Sequence, residues 1–413
     1  MAAQVSEGVA VAATETEVHM DTATTAGIST GSVLLASLLL PGLALLTGYA
    51  QAETAPEAAE ISIKYGHYQD RQGAFGSQAP MDRVSVRAPQ VRALVPIAGE
   101  WALEGTFVSD SVSGATPRLH TQRSGASVMS DHRHAADVKL TRYWGRGAVS
   151  ASVTTSNEHD YRSRALGLEG RWATEDNNRT WSVGLGAAND QIGHHDREDG
   201  TTWLGTRQTR ELMVGVTQVL TPADIVQFNL TRSVGSGYYD DPYKSFDRRP
   251  DHKRAWIALL RWNHHVEVAN AALRTSWRIH RDTFGITSNT LGAEWVQPVG
   301  RWTFTPGLRY TTQNAARFYF DPLLNAQGDV DARATTLYGL RLQGERSGDQ
   351  RLAAWGAVSV SLQAAYALDE TSKIDFRIDR YRQTAGLHWG GDGSAGLAPF
   401  KATFVQLGWT KRF

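Results

Sequence analysis

The chain has 413 residues, with Lys+Arg and Asp+Glu both at 42, so no net charge draws it to nucleic acid or to an acidic partner. Its mean hydropathy of −0.36 is too polar for a bundle of membrane helices, yet it admits a membrane barrel, whose strands show lipid only every second residue. Cysteine is absent, which excludes disulfides, thiolate metal sites, a cysteine nucleophile and c-type haem attachment.

Reading from the N-terminus, the first continuous apolar run is Val33–Leu46. It is too short to cross about 30 Å of hydrocarbon as a helix. Ala50-Gln51-Ala52 follows it as a small-x-small cleavage site, so residues 1–52 read as an N-terminal extension and signal peptide cut after Ala52. That assignment makes the protein an exported one, with residues 53–413 as the mature domain. The stretch departs from a usual signal in having no Lys or Arg before Lys64; Met20 is an internal alternative start and adds none. The competing reading is a short buried helix of a soluble protein.

Beyond residue 52 the pattern alternates with period two. Leu166, Leu168 and Trp172 alternate with Gly167, Glu169 and Arg171; Trp256, Leu260 and Trp262 share a parity, as do Trp302, Phe304, Leu308 and Tyr310. Strands are predicted near 60–71, 83–96, 100–110, 132–144, 147–158, 161–173, 180–192, 207–220, 224–234, 254–263, 267–280, 286–297, 301–313, 351–366, 373–385 and 401–413. Short turns are expected at 97–100, 145–147, 174–179, 221–224, 263–267 and 297–301. Longer links fall between them, near 111–131, 193–206, 233–253 and 312–350. Short turns on one side and long loops on the other are the outer-membrane pattern, periplasmic against extracellular.

The fold class that follows is all-β: a transmembrane antiparallel up-and-down barrel of about 16 strands. Ala334–Gln343 also alternates, and is assigned to a long external loop, as part of a hairpin above the membrane; counting it gives the runner-up of 18. Trp101, Trp144, Trp172, Trp181, Trp262, Trp295 and Trp302 each lie beside a short turn, and Trp409 lies near the C-terminus. They form an expected periplasmic aromatic belt, because indole prefers the headgroup level. Val405, Leu407 and Trp409 alternate around Gly408, and the chain ends on Phe413. Gly408 and Phe413 read as part of a C-terminal signal for the barrel-assembly machinery, with Lys411 standing where an apolar residue is usual and reaching water by snorkelling.

Several longer motifs then carry a resemblance. Ile97-Ala98-Gly99-Glu100-Trp101, Gly215-Val216-Thr217-Gln218-Val219-Leu220-Thr221-Pro222, Leu291-Gly292-Ala293-Glu294-Trp295-Val296-Gln297-Pro298 and Phe318-Tyr319-Phe320-Asp321-Pro322 are among them. The chain from about Ile61 to Phe413 resembles a Gram-negative family catalogued as a domain of unknown function, number thirty-five seventy. The resemblance implies an exported outer-membrane barrel and supplies no established activity or catalytic residues.

The polar parity carries both signs of charge: Glu104, Asp137, Lys139, Glu169, Arg171, Arg274, Arg278, Glu294, Arg309, Asp375 and Arg377, with Glu100, Asp110, Lys373 and Asp379 beside them. Such groups suit a water-filled lumen and can orient polar solutes; the bland alternative is a static network filling the barrel. The pairs His132/His134, His194/His195 and His264/His265 read as solvated loop or turn residues rather than metal ligands. Tyr238-Tyr239-Asp240-Asp241-Pro242-Tyr243 reads as an extracellular loop in preference to a calcium or sugar site. No nucleophile elbow, phosphate loop or zincin motif occurs, so no catalytic residue, cofactor or metal is assigned and the chain reads as a non-enzyme.

Three functions are carried forward. The first is a porin-like channel for small polar solutes. The second is a structural sheath or docking barrel for a periplasmic or surface protein partner, such as a redox protein. The third is a barrel-embedded hydrolase, whose first place to look is His280-Arg281-Asp282. The expected surroundings are outer-membrane lipid and the barrel-assembly machinery, with no nucleic acid.

Overall fold

A computed structural model describes residues 54–115, 128–196, 200–244 and 246–413. The sixteen strands are β1 (Glu60–Gln72), β2 (Met81–Ile97), β3 (Trp101–Ala115), β4 (Val128–Trp144), β5 (Gly147–Asn157), β6 (Tyr161–Ala173), β7 (Arg179–Asp196), β8 (Gly200–Thr221), β9 (Asp224–Gly237), β10 (His252–Val266), β11 (Ala271–Asp282), β12 (Thr287–Val299), β13 (Trp302–Gln313), β14 (Trp355–Ala367), β15 (Ser372–Thr384) and β16 (Phe400–Arg412). Each pairs antiparallel with its sequence neighbours, and β1 closes on β16, with Glu60 opposite Arg412 and Gln72 opposite Phe400. Closure leaves no sheet edge, which is what a strand needs where no water can satisfy its backbone.

The alternation in the sequence becomes two faces. Leu166 and Leu168 are 61% and 54% exposed, and Val153, Leu185, Leu308 and Leu407 share that outward parity. Inward positions are polar or small: Ser150, Thr154, Gly167, Gly184, Gly215 and Gly307 all point away from the apolar side. An apolar exterior around a polar interior inverts a soluble fold and suits a bilayer.

The connections at one end are tight. Between β2 and β3, Ala98 (φ 52°) and Gly99 (φ 71°) are both left-handed, the backbone that a two-residue hairpin turn with right-handed strand twist requires. Asn177 and Asn270 supply single left-handed residues at two other turns (φ 54° and 44°). The opposite end holds the long loops 238–251, 314–354 and 385–399.

Three expectations are corrected. The turn placed at 263–267 lies at 267–270 instead, because β10 continues through His264 and His265 to Val266. The link at 193–206 is a tall hairpin: β7 and β8 pair up to Asp196–Gly200 beyond a bulge after Ile192. Ala334–Gln343 is no strand. Ala332–Arg341 forms a helix, α1, whose N-cap Asp331 accepts a hydrogen bond from the Ala334 amide at 2.8 Å; a cap outweighs weak alternation when no neighbouring strand offers a ladder. The sixteen-strand count therefore stands and eighteen does not. The Val33–Leu46 run and the cleavage after Ala52 fall outside the described residues.

Candidate functional site

The polar interior is built strand by strand. Glu104, Asp137, Lys139, Glu169, Arg171, Arg274, Arg278, Glu294, Arg309, Asp375 and Arg377 all sit on the parity opposite the exposed apolar residues, hence on the inner wall. Register places Arg274 directly across from Glu294. On β3 and β4, Glu104 accepts from Arg92 Nε at 2.7 Å and lies 3.6 Å from Lys139 Nζ. Arg92 also reaches Glu60 at 2.8 Å, and Glu60 takes Arg412 at 3.2 Å, so a charge network crosses the barrel seam near its periplasmic end. Asp137 accepts from Thr154 Oγ1 at 2.7 Å. Arg377 is forked onto Asp379 at 2.8 and 2.9 Å.

The two sides of the wall differ. Strands β3 to β8 carry Glu104, Asp110, Asp137, Glu169, Asp190 and Glu211 against Arg133, Lys139, Arg171 and Arg207. Strands β10 to β15 carry Lys253, Arg261, Arg274, Arg278, Arg309, Lys373 and Arg377 against Asp282, Glu294, Asp375 and Asp379. In a closed sixteen-strand order, β3 faces β11 and β7 faces β15. Acid excess therefore stands opposite arginine excess across the lumen. Glu100, expected inward, is instead exposed in a periplasmic turn, 3.9 Å from Arg142, because β3 begins one residue later.

Over the external mouth the long loops interlock around buried charge. Arg249 of the 238–251 loop bonds Asp247 and Asp349 at 2.7 Å each, with all three side chains 2% exposed or less. Arg351 reaches Asp241 at 2.9 Å and is forked onto Asp349 through Nε and Nη2. Lys244 completes the cluster, 3.4 Å from Asp241 and 3.8 Å from Asp349. Burial pushes the Asp349 carboxyl up, but Arg351, Lys244 and Arg249 outweigh it and hold the group well below the usual carboxylate range. Asp241 is lowered against burial in the same way, by Lys244 and Arg351. Beneath lies an apolar floor of Tyr239, Phe284, Ile286, Phe318 and Leu352.

The same loops reach across the mouth. Tyr243 donates to Asp160 in the β5–β6 turn, and its ring lies tilted against His194 with centroids 4.7 Å apart. The backbones of Arg248 and of Arg346 in the 314–354 loop form an antiparallel bridge, with N–H to O=C bonds of 2.9 and 2.8 Å. That loop accepts from the Gly396 amide at Asp321 (3.2 Å) and from the Ser77 amide at Asp329 (2.6 Å). The β5–β6 and β13–β14 connections are eight strands apart, on opposite sides of the barrel, and the 238–251 loop contacts both. This is a cap.

One loop expectation changes and one gains detail. The Tyr238–Tyr243 segment lies in the external loop 238–251 as read, and its carboxylates are engaged: Asp240 accepts from the Arg249 amide at 2.6 Å, and Asp241 from Arg351 at 2.9 Å. His194 and His195 are strand residues with ring partners, His195 lying 5.0 Å from His159. His264 is held to Asp224 at 2.9 Å at the end of β10. Among the described residues no group of three His, Cys, Asp or Glu is arranged to hold a metal ion. His280 Nε2 lies 3.3 Å from Asp282, but Asp282 also takes the Phe284 and Ile286 amides at 3.0 Å and Lys253 Nζ at 3.0 Å. That carboxylate organises a turn, so the geometry gives the hydrolase reading nothing to build on.

The eight tryptophans named above lie at the short-turn ends of their strands. Trp144, Trp172, Trp181, Trp262, Trp302 and Trp409 are exposed, while Trp101 and Trp295 are half-buried. Lys411 bonds Thr371 and Ser372 at 2.6 and 2.9 Å, its ammonium drawn to the turn. A Cβ at Gly408 would crowd the lumenal Asp375 carboxylate, which would have to turn aside. Phe413 is exposed past the end of β16. Sequence reasoning missed Arg92, Glu211 and Arg261, although inward parity marked all three. It missed the cap cluster for want of any periodic signal in loops.

Comparison with known proteins gives a family. The model described as "Protein of unknown function (DUF3570)" matches residues 30–128, 121–203 and 193–408. The chain belongs to this family. No curated protein matches it. Among solved structures, the toluene transporter TodX of Pseudomonas putida is 11% identical over 94% of this chain and 96% of its own, with a TM-score of 0.43. OccK2 (OpdF) of Pseudomonas aeruginosa, solved with glucuronate, is 10% identical over 89% and 100%, TM-score 0.41. A Pseudomonas aeruginosa FadL homologue is 12% identical over 86% and 90%, TM-score 0.40. The family member described here is a bacterial outer-membrane barrel: single-chain closed barrels with an outward apolar band and aromatic belt reside there.

Proposed function

We propose that this barrel is a porin-like passage for small polar solutes, closed on its outer side by the loop cap. The observation that carries the reading is the pair of opposed inner walls, arginine-rich on β10–β15 and acid-rich on β3–β8. Opposed rows of charge set up a transverse field that a polar solute crosses with its dipole aligned. Small inward residues such as Ser152, Gly167, Gly186, Gly292 and Ser361 leave room into which the long charged side chains extend, and sixteen strands suffice for an aqueous lumen. Planar-bilayer recording on refolded protein tests it. Conductance steps that grow when the cap is loosened by Asp349→Ala are expected. Silence from both the parent and that variant would sink the channel.

A further inference from the structure

The outward face changes character along its height. On β16 the outward residues run Trp409, Leu407, Val405, Thr403 and Lys401. Eight residues separate Trp409 from Lys401, roughly 26 Å along a strand at ~3.3 Å per residue. At a tilt of about 40° this is roughly 20 Å along the membrane normal, close to the ~25 Å apolar band of such barrels. Lys401 therefore stands at the external boundary. Register sets Arg382 of β15 and Arg71 of β1 directly across from it on either side, with Arg380 on the next outward rung. All four are exposed.

Like charges directly opposite on neighbouring strands repel, so three abreast are a cost unless a multivalent anion lies across them. The nearest acid, Asp82, sits 3.7 Å from Arg71 with both side chains more than half exposed, a contact of little worth in water. Behind these cations the inner face packs Tyr68, Val84, Val86, Ala402 and Phe404 beside a buried Arg83–Asp70 pair 3.7 Å apart. The cations therefore stand outward where the lower rungs of the same strands are apolar.

The arrangement recurs on the far side, where Arg210 and Arg254 flank Val234 and the Arg232 guanidinium lies 4.8 Å from the Trp256 ring centroid. Eight residues again separate the belt residue Trp262 from Arg254. The periplasmic rim differs in degree: Arg142, Arg146 and Lys411 each have a carboxylate within 4 Å, at Glu100, Glu175 and Asp369, whereas of the external three only Arg71 has one, and Arg382 and Lys401 have none among the described residues.

We propose that Arg71, Arg382 and Lys401 form a site for the phosphate groups of the phosphorylated glycolipid in the outer leaflet. Guanidinium forks grip phosphate oxygens in two parallel hydrogen bonds. The lipid, rather than free phosphate, is the source because Ile63, Val405 and Leu407 continue the same outward stripe below the cations, where acyl chains lie.

The test is native mass spectrometry of the full-length protein in detergent with a bis-phosphorylated lipid A. Wild type is expected to retain it, and the R71Q/R382Q/K401Q variant to retain about tenfold less or lower still. A periplasmic-rim control, R142Q/R146Q/K411Q, should match wild type, and dephosphorylated lipid A should not be held. Equal retention by the external-rim variant, or of the dephosphorylated lipid, overturns the site. Displacement by an equal concentration of inorganic phosphate overturns the lipid as its source. Heat-modifiable gel migration checks folding, and K401Q alone serves if the triple variant does not fold.

Discussion

The two ends of this barrel solve the same problem, joining antiparallel strands, by unlike means. At the periplasmic end the connections are set chiefly by local chemistry: a left-handed Ala98-Gly99 pair, an Asn270 in the left-handed region, a Thr174–Asp176 hydrogen bond at 2.5 Å, with exposed contacts such as Arg146–Glu175 between turns. At the external end the connections depend on one another, because Asp349 in one loop is the counter-ion of Lys244 and Arg249 in another. Turn chemistry fixes a short connection within a few residues. A buried ion cluster fixes nothing until every loop has arrived, and then fails as a unit when one member is removed.

The sharpest break in that contrast is Asp349→Ala. It leaves Arg249, Lys244 and Arg351 sharing only Asp241 and Asp247, and stranding buried cations costs about 3–5 kcal/mol. Limited proteolysis should then cut within 238–251 or 314–354 while the barrel keeps its heat-modifiable migration; unchanged resistance would mean that the cluster does not hold the cap. Gly356→Ala is expected to come next. Its Cβ would run into the Leu387 carbonyl, a backbone group that cannot turn aside, so the 385–399 loop must shift at about 1–3 kcal/mol. A rise in hydrogen exchange confined to that loop and its neighbours is the signature.

Acid gives a graded version. Asp349 and Asp241 are lowered from 3.8 by their cations, so their contribution is complete above the ordinary carboxylate range and is lost only as pH falls through the lower folded values. Amide protection in the 238–251 loop should therefore hold from neutral pH down through the range where free carboxylates titrate, and collapse below it. Loss already near neutral pH would assign the latch to other groups.

The smallest effect belongs to the periplasmic end. Ala98→Asn replaces an alanine held at φ 52° by a residue that tolerates that region, a gain of about 0.5–1 kcal/mol. Thermal unfolding should shift slightly upward while external-loop protection stays constant. Coupling between the two would show that the ends are less independent than their connections suggest.

The legibility of the sequence follows the same division. Sixteen strands could be placed because each outward residue meets lipid and each inward one meets polar groups, so Leu166 and Glu169 declare their faces without reference to partners. The charges at Glu104, Arg274 and Glu294 were readable from parity for the same reason. Parity also marked Arg71, Arg382 and Lys401, but nothing in one strand reveals that register aligns all three. Ala334–Gln343 lies in the external loop as assigned, but as a helix and not a hairpin, because alternation without a neighbouring strand carries no hydrogen-bond ladder and Asp331 caps a helix there.

What the sequence determined by itself was therefore the barrel: strand count, faces and the end at which the turns are short, since a bilayer imposes its period on every strand separately. What only the tertiary structure decided was the cap, the opposition of the two charged walls and the row of external cations. Each depends on contacts between residues far apart in the chain, such as Arg249 with Asp349, whose partners no local pattern encodes.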